Sequence, residues 1–504
     1  MLARVKLSEL AAGVPGAQVE AGSDFEVGGI AYDSRRVQAG DLFVAVTGLR
    51  SDGHYFAADA AARGAAIAVE RPVPLPPGTP LLRLRDSRTG LGELAAALHG
   101  RPSRRLRLAG VTGTDGKTTT THMAAHVLEV ASLRAGFMST VAFRGEGDAA
   151  DNLSGLSTIE SPEVQAWLAG MAAGGVEAAV IETTSHALVQ GRVAGCDFDV
   201  AAFTNVGLDH LDYHATWDEY LAAKARLIDL CAASAPKGIP KTAILNRDDV
   251  SYEGLASREI ERRWTYSIET EADLRAVDIE GGAWGSHFHL LTPAGAAEVD
   301  LRQPARFNVY NALCAAGVCL ALGVPLEAVG RGLSSFPGVR GRLEAVDLGQ
   351  PFRVYIDFAH SAGSLASALH ELRQFTDGRL LLVFGSTGRA DHDRPGMGRA
   401  AAHGSDFFVI TTDDPVDEDP ADIARDVQSG VEGRQPGRDF DVVLDRRLAI
   451  RSVISRARPG DVVLLAGKGH ERSMMMAGGR QPWDERAEAE AAIREAAGSV
   501  GPPA

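Results

Sequence analysis

Short apolar runs alternate with longer stretches of helical periodicity through most of the chain. Buried-strand runs fall at 106–111, 178–182, 200–204 and 242–246, with helical patterns at 122–130, 163–173 and 217–232 between them. This alternation predicts a parallel sheet covered by helices on both faces. Before it, runs at 27–33, 41–46 and 66–70 read as strands, 55–63 as a helix and the proline-rich 72–80 as a surface loop. After it, 264–267 and 286–291 read as a small antiparallel insertion within 247–304. Four further strands follow at 353–357, 380–384, 407–411 and 461–466, each ending in polar or glycine-rich sequence. The pattern predicts an α/β protein of three domains. These are a small N-terminal α/β domain over 1–103, a central parallel-sheet domain over 104–336 and a Rossmann-like C-terminal domain over 337–504, with 101–105 linking the first two.

Composition narrows the class. A 504-residue chain with 45% apolar and 23% charged residues is of ordinary globular type. Its net charge of −15 argues against nucleic acid or an anionic membrane as partner, so an anionic substrate needs local positive groups. Cys196, Cys231, Cys314 and Cys319 form no C-x-x-C pair and read as buried thiols of a reducing compartment. The first residues lack the apolar core of a signal peptide, and no uncharged run is long enough to span a bilayer. A cytoplasmic protein is expected.

The candidate chemistry centres on Leu108-Ala109-Gly110-Val111-Thr112-Gly113-Thr114-Asp115-Gly116-Lys117-Thr118-Thr119-Thr120, which reads as strand, phosphate loop and helix. Glycines let backbone N–H groups face an anion, and the helix N-terminus adds partial positive charge. Lys117 can reach the outer phosphates and the Thr118 hydroxyl a Mg²⁺, which points to ATP or GTP. Gly110 lies one residue too far upstream for the strict G-x-x-x-x-G-K-[ST] spacing, so the loop is a variant. Glu182, at a strand end beside that loop, suits the same hard cation. The stretch from Thr204 to His214 is dense in metal-capable and acid–base groups: Asp209, His210, Asp212 and His214. Lys224, taken alone, reads as a solvated lysine. Asp357 and His360, then Arg389, Asp391, Asp393 and Arg394, then Asp413 and Asp414, then Gly467 to Glu471 decorate four strand ends, the edge where open α/β sheets bind ligands. In the N-terminal domain, Asp33-Ser34-Arg35 and Asp52-Gly53-His54 could present amides to a ligand or be plain turn chemistry.

The loop, together with Glu182-x-x-Ser185-His186, Asp209-His210-Leu211-Asp212-Tyr213-His214, Ala223-Lys224, Asn308-x-x-Asn311 and Gly341-Arg342, resembles the Mur ligase family over essentially the whole chain. The N-terminal motifs and Gly467-Lys468-Gly469-His470-Glu471 are similar to the branch that adds the third amino acid to a UDP-N-acetylmuramoyl dipeptide. The resemblance implies ATP-dependent amide synthesis through an acyl phosphate, for peptidoglycan, from the UDP-sugar dipeptide and a free amino acid. It implies that Gly113, Thr114, Asp115, Gly116, Lys117, Thr118 and Thr119 hold ATP, with Asn308, Asn311, Arg342 and Asp357 completing the nucleotide site. Thr118, Glu182, His210 and a carbamylated Lys224 would serve two Mg²⁺ ions, and Lys117, Lys224, His210 and Glu182 would be the catalytic set. Ser34, Asp52, Gly53, His54, Ser161, Ser185 and Arg192 would contact the UDP-sugar dipeptide, and Arg389, Asp413, Asp414, Gly467 and Glu471 the incoming amino acid. A monomer is expected.

The departures from the family pattern carry information. Asp115 stands where asparagine is common, and its carboxylate would repel phosphates unless it caps the turn or faces a cation. Glu160-Ser161-Pro162 replaces Thr-Thr-Pro, and Ser361-Ala362-Gly363-Ser364 replaces Thr-Pro-Asp-Ser. Asp413-Asp414-Pro415-Val416 replaces the Asp-Asn-Pro-Arg of diaminopimelate-adding enzymes, whose arginine grips the distal carboxylate. Val416 cannot do that, and with Asp414, Asp417, Glu418 and Asp419 the loop is acidic, which points to lysine or ornithine. The alternatives are a diaminopimelate-adding ligase, another amide ligase of the superfamily such as a folylpolyglutamate synthase, and a nucleotide-binding relative without turnover.

Overall fold

The computed structural model describes residues 4–48, 51–207, 213–388 and 393–499. The backbone forms two compact units, one of residues up to 275 with 292–295 and 312–332, the other of 276–291, 296–311 and 333 onward. Among the described residues no helix is long and apolar enough to cross a membrane.

The first unit begins with a five-stranded sheet ordered Gln18–Ala21, Leu81–Arg83, Ala66–Val69, Asp41–Val44, Gly29–Ala31; all neighbours are parallel except the first pair. Its central strands read as continuous apolar runs because both faces are covered. Leu42 and Val44 pack toward Leu91 and Leu94 of the helix Ser87–Leu98, while Phe43 packs with Ala57 and Ala60 of Ala57–Ala62. The helix Ser87–Leu98 carries little sequence signal because two glycines interrupt it. At Gly92 a side chain would meet the Ala194 carbonyl at 2.5 Å, so the glycine permits close packing.

Residues 101–105, expected as a linker, are folded rather than loose chain. Pro102–Arg105 forms a 3₁₀ turn with Pro102 and Ser103 buried. Ser103 Oγ accepts from Asp197 N–H at 3.0 Å, and Arg104 pairs with the Asp197 carboxylate at 2.9 Å.

The central sheet places Arg107–Thr112 between Ala178–Glu182 and Val200–Phe203, parallel to both. Ala135–Met138 continues it on one side and Thr242–Asn246 on the other. Arg262–Ser267, expected in an antiparallel insertion, instead pairs parallel with Thr242–Asn246 and extends this sheet. A four- to six-residue apolar run carries no information on strand direction, so the sequence pattern could not distinguish the two.

In the second unit, residues 276–282, 285–291 and 296–301 belong to neighbouring strands joined by tight turns. The first turn is clasped by the strand Arg353–Asp357: Tyr355 Oη donates to the Ala283 carbonyl at 2.6 Å, and the Arg353 guanidinium lies 4.8 Å from the Trp284 ring centre. A six-stranded sheet follows, ordered Glu344–Ala345, Arg353–Asp357, Val462–Ala466, Leu380–Phe384, Phe407–Ile410, Phe440–Val442, parallel beyond its first antiparallel pair. Leu382, Phe384 and Phe408 face the helices Ala362–Arg373 and Arg394–Gly404; Leu381, Val383 and Val463 face Arg446–Arg456 and Glu485–Ser499.

The last two helices are tied by a buried ion pair. Arg446 and Glu485 meet at 2.7 Å with side chains 1% exposed; Arg446 also donates to the Ala466 carbonyl, and Trp483 Nε1–H donates to Glu485. Removing one partner strands the other charge away from water. Glu485→Ala is expected to lower unfolding stability by about 3–5 kcal/mol, measured by urea denaturation followed by circular dichroism.

Candidate active site

The phosphate-type loop is shorter than the glycine spacing implied. Gly110 lies inside the strand Arg107–Thr112, and a side chain there would strike Leu227 at 2.8 Å and Phe198 at 3.0 Å. It is a packing glycine beneath the helix Trp217–Ala233, which explains its off-register position. The turn itself is Gly113 to Gly116. Gly113 has φ +153° and Gly116 φ +79°, the latter immediately before the helix Lys117–Val130. A Cβ on Gly113 would lie 1.8 Å from Thr204 Oγ1, so only glycine fits. The turn is anchored by the next strand end. Thr114 N–H donates to the Asn205 carbonyl at 2.8 Å, Asp115 N–H to Asn205 Oδ1 at 3.0 Å, and Thr204 Oγ1 to the Asp115 carbonyl at 2.5 Å. The Asp115 backbone therefore holds the turn while its side chain is exposed, where water screens its charge.

Four expected residues, Lys117, Thr118, Glu182 and Lys224, lie at this turn. Thr118 Oγ1 donates to Glu182 Oε2 at 2.9 Å. Thr140 N–H donates to the same oxygen, and its hydroxyl to Glu182 Oε1, each at 2.9 Å; Ser157 partners Thr140 at 2.8 Å. Glu182 is 1% exposed, and among the described residues it meets hydroxyls and an N–H but no cation. A buried carboxylate beside a hydroxyl, with hard oxygens and no compensating positive charge, fits a divalent cation such as Mg²⁺. Lys224 is not solvated as its isolated reading suggested. It is buried, donates to the Gly113 carbonyl at 2.5 Å and lies 4.3 Å from the Tyr220 ring centre. The Tyr220 hydroxyl meets Thr114 Oγ1 at 3.2 Å. Lys117 Nζ donates to the Thr114 carbonyl at 2.6 Å. His210, with Asp209 and Asp212, lies outside the described residues. Thr140, Ser157 and Tyr220 escaped sequence reasoning because they sit in irregular or helical stretches without a motif.

The residues expected at the sugar-dipeptide lie nearby in the same unit. Thr158 Oγ1 donates to the Glu182 carbonyl at 2.8 Å, and Arg192 donates to the Thr158 carbonyl at 2.9 Å. Arg192 also pairs with Glu160 at 3.1 Å, so the glutamate that departs from the family pattern holds this guanidinium. Ser161 is buried at the start of its helix, and Ser185 Oγ meets His214 Nε2 at 3.1 Å. In the N-terminal sheet, Asp52 accepts from His54 N–H at 3.0 Å, faces His54 Nδ1 at 2.7 Å and pairs with Arg71, while Glu70 N–H donates to His54 Nε2. Burial would raise the Asp52 carboxyl, but these bonds from Arg71 and His54 hold it well below the carboxylate range. A side chain on Gly53 would collide with the Val46 backbone at 2.8 Å. Asp52 and His54 thus build their own turn. Asp33 caps the turn Ser34–Arg36, and the Arg35 side chain holds its carboxyl down to about 2. Ser34 offers its carbonyl to Arg63 at 2.8 Å.

The second unit carries the other expected residues: Asp357, Asp413, Asp414, Gly467 and Glu471 at or beyond the carboxyl ends of parallel strands, Asn308 and Asn311 in the helix Arg306–Ala321, and Arg342 just before the edge strand Glu344–Ala345. Asp357 accepts from Leu343 N–H at 2.7 Å and Ala359 N–H at 2.8 Å. Arg342 stacks 4.9 Å from the Phe358 ring centre, with His360 and His470 against the same ring. Asn311 donates to Asn308 at 3.0 Å, and Asn308 to the Pro304 carbonyl at 2.7 Å. Asp413, Asp414 and Glu471 surround the fully buried Lys468 ammonium at 3.6, 2.8 and 2.5 Å. Burial pulls Lys468 down, but the three carboxylates raise it further and keep it charged; burial in turn pushes Asp413 and Glu471 up. At Gly467 a side chain would meet Asp413 Oδ2 at 2.2 Å. Asp414 and Val416 have φ +40° and +55°, unusual for a β-branched valine. The conformation is overdetermined by Met475 N–H on Asp414 Oδ1, Val416 N–H on the Met475 carbonyl and Gly388 N–H on the Asp414 carbonyl. Of the outer acids, Glu418 pairs with Arg394 at 2.9 Å and Asp419 caps the helix Pro420–Gln428. Arg389 and Asp391 lie outside the described residues.

A mononucleotide-type loop with a Thr–Glu pair on one parallel sheet, and polar strand ends on another, are the features of a nucleotide-binding α/β protein, and its relatives make it an ATP-dependent ligase. Family models match in three stretches: the Mur ligase family catalytic domain over residues 26–97, the Mur ligase middle domain over 111–319, and the Mur ligase glutamate ligase domain over 341–469. The chain belongs to the Mur ligase family. It is 44% identical over 487 residues to UDP-N-acetylmuramyl-tripeptide synthetase of Roseiflexus sp. (strain RS-1), covering 93% of this chain and 95% of that one. It is 40% identical over 504 aligned positions to the protein of the same name from Deinococcus radiodurans, covering 97% and 100%. It is 41% identical over 496 residues to UDP-N-acetylmuramoyl-L-alanyl-D-glutamate--2,6-diaminopimelate ligase of Geobacillus kaustophilus, again covering 97% and 100%. A solved structure with that ligase's name superposes with a TM-score of 0.70 at 29% identity, covering 98% of this chain and 99% of that one.

Two measurements test the site. Lys117→Met is expected to lower kcat by about 10²–10³-fold by removing one fixed positive group from a developing phosphoryl charge, read as ADP release. His470 gives a pH signature. Burial, then Arg342 and Arg340, holds its imidazole down to about 3, against the ordinary 6.5. Below pH 6.5 the unfolded chain takes up a proton that the folded chain refuses, so this contribution to stability is full above 6.5 and declines as pH falls toward 3. Urea midpoints between pH 7.5 and 4.5 should fall less steeply in His470→Gln than in the parent.

Proposed function

We propose that this chain adds the third residue to UDP-N-acetylmuramoyl-L-alanyl-D-glutamate, and that the residue is a basic diamino acid, lysine or ornithine. The name of the Geobacillus relative specifies that dipeptide substrate, and the names of the Roseiflexus and Deinococcus relatives specify a tripeptide product. The observation that carries the choice of amino acid is the Lys468 cluster. Its carboxylates outnumber its ammonium three to one, and Val416 offers no cation to a distal carboxylate. An ammonium entering that loop gains charge-assisted hydrogen bonds, whereas a second carboxylate meets like charge. Glu418 and Asp419 are engaged elsewhere, so the proposed selectivity draws on the carboxylates in excess of Lys468, Asp414 among them.

The chemistry follows from the charges involved. ATP lies along Gly113, Thr114, Asp115, Gly116, Lys117, Thr118 and Thr119; Asn308, Asn311, Arg342 and Asp357 are further nucleotide contacts that the family resemblance suggests. A dipeptide carboxylate, held by Ser161, Ser185 and Arg192 with the uridine toward Ser34, Asp52, Gly53 and His54, attacks the γ-phosphorus. The bond to the ADP oxygen breaks and an acyl phosphate forms. The amine of the incoming amino acid, oriented by Arg389, Asp413, Asp414, Gly467 and Glu471, then attacks the acyl carbon, loses a proton and expels phosphate. Lys117 neutralises charge as two anions are brought together. Thr118, Glu182, His210 and a carbamylated Lys224 would hold Mg²⁺, which supplies further neutralisation.

A panel of amino acids tests the reading. Phosphate release should require both the UDP-sugar dipeptide and lysine or ornithine. Efficient turnover of meso-diaminopimelate alone would assign the chain to the function named for its Geobacillus relative, and release without dipeptide would point to a different ligase. Asp414→Asn combined with Val416→Arg should move the preference toward diaminopimelate by about tenfold or more, as expected for replacing like charge by a bidentate partner worth roughly 1.5–3 kcal/mol.

A further inference from the structure

On the outer face of the hairpins in the second unit, two histidines and three carboxylates form a group that the ligase chemistry does not use. In the strand Gly285–Thr292, Ser286, Phe288 and Leu290 are buried, so the strand alternation turns His287 and His289 outward together. Their rings are 5.8 Å apart. Glu298 and Asp300 of the strand Gly295–Leu301 also point outward, alternating with buried Val299 and Leu301. His287 Nε2 is 3.4 Å from Glu298 Oε1, and one donor atom each from His287, His289 and Glu298 falls within 4.8 Å of the others. Ligands about 2.0–2.2 Å from one ion lie at most about 4.4 Å apart, so small side-chain rotations would bring these three onto one ion.

The surrounding carboxylates complete the pattern. His287 Nδ1 lies 2.7 Å from Asp300 Oδ1, so Nδ1–H donates to the carboxylate and Nε2 is the ring atom left to hold an ion beside Glu298. That relay of carboxylate, imidazole and ligand position is how metal-binding histidines are fixed in tautomer and orientation. His289 Nδ1 has Asp278 at 3.4 Å on the third strand. The group sits on a pleated surface whose first turn is clasped by Arg353 and Tyr355.

We propose that His287, His289 and Glu298 form a binding site for a borderline divalent cation of the Zn²⁺ class, with Asp300 as the positioning residue behind His287. Two imidazoles and one carboxylate suit Zn²⁺ and leave a fourth position for water. The set is poor for Mg²⁺, which selects an all-oxygen octahedral shell. The ion crosslinks two strands of the hairpins, outside the residues assigned to ATP and substrates.

The test is equilibrium dialysis of the full-length untagged chain against Zn²⁺ in millimolar Mg²⁺, so that sites preferring Mg²⁺ are already filled. The parent should retain one equivalent of Zn²⁺ more than His287→Ala/His289→Ala. Glu298→Gln should weaken that equivalent, and Asp300→Asn should weaken it about 10–100-fold, the usual effect of losing a carboxylate behind a ligating histidine. Matched circular dichroism and unchanged ligase turnover in Zn²⁺-free buffer would show that the variants are folded. Equal Zn²⁺ retention by parent and double variant, or retention by neither, overturns the proposal.

Discussion

The catalytic half of the first unit depends on one steric constraint: at the end of Arg107–Thr112 there is no room for a side chain on Gly113. Thr204 occupies that volume, and Thr204 and Asn205 hold the turn through its own backbone. Because Arg107–Thr112 lies between Ala178–Glu182 and Val200–Phe203, the three strands end side by side. Glu182 thereby arrives at Thr118, and the helix after the third strand delivers Lys224 to the Gly113 carbonyl. Residues far apart in the sequence become neighbours because parallel strands are aligned at their carboxyl ends, which is where open α/β sheets gather ligands.

Buried charge is the second theme, and each instance is handled by local pairing. Asp199, fully buried near the opposite end of the same strand, accepts from Leu108 N–H and pairs with Lys237 at 2.6 Å and Lys241 at 2.9 Å. Arg446 and Glu485 satisfy one another beneath the last helix. In each of these groups every carboxylate is matched by at least one cation. Glu182 and the Lys468 cluster differ: each has carboxylate in excess of the described cations. In a medium of low dielectric such an excess is costly unless a cationic ligand completes it. That asymmetry sets these two groups apart from the ion pairs that hold the fold.

Much of this was legible in the chain. The phosphate loop, Glu182 and the four decorated strand ends all follow from apolar runs closed by glycine and acidic residues, and the family resemblance followed from those motifs. Other features were not. Gly110 looked like a loop glycine and is a packing glycine, since spacing cannot say which wall a backbone approaches. Residues 101–105 looked like a linker and are a folded turn, because their partner Asp197 lies far along the sequence. Asp52 and His54 could be read either as ligand contacts or as turn chemistry; their hydrogen bonds run within the turn and to Glu70 and Arg71.

The sequence by itself determined the strand–loop–helix order, the acidic character of the 413–419 loop and the absence of an arginine at Val416, since these are properties of residue type and local spacing. Only the tertiary structure decided that Asp115 exposes its carboxylate, that Lys224 is buried, that Glu418 and Asp419 are engaged while Asp414 faces Lys468, and that His287, His289 and Glu298 share one face. Each of these depends on which strands become neighbours. Strand order is set by long-range packing of apolar faces, and no local pattern of residues encodes it.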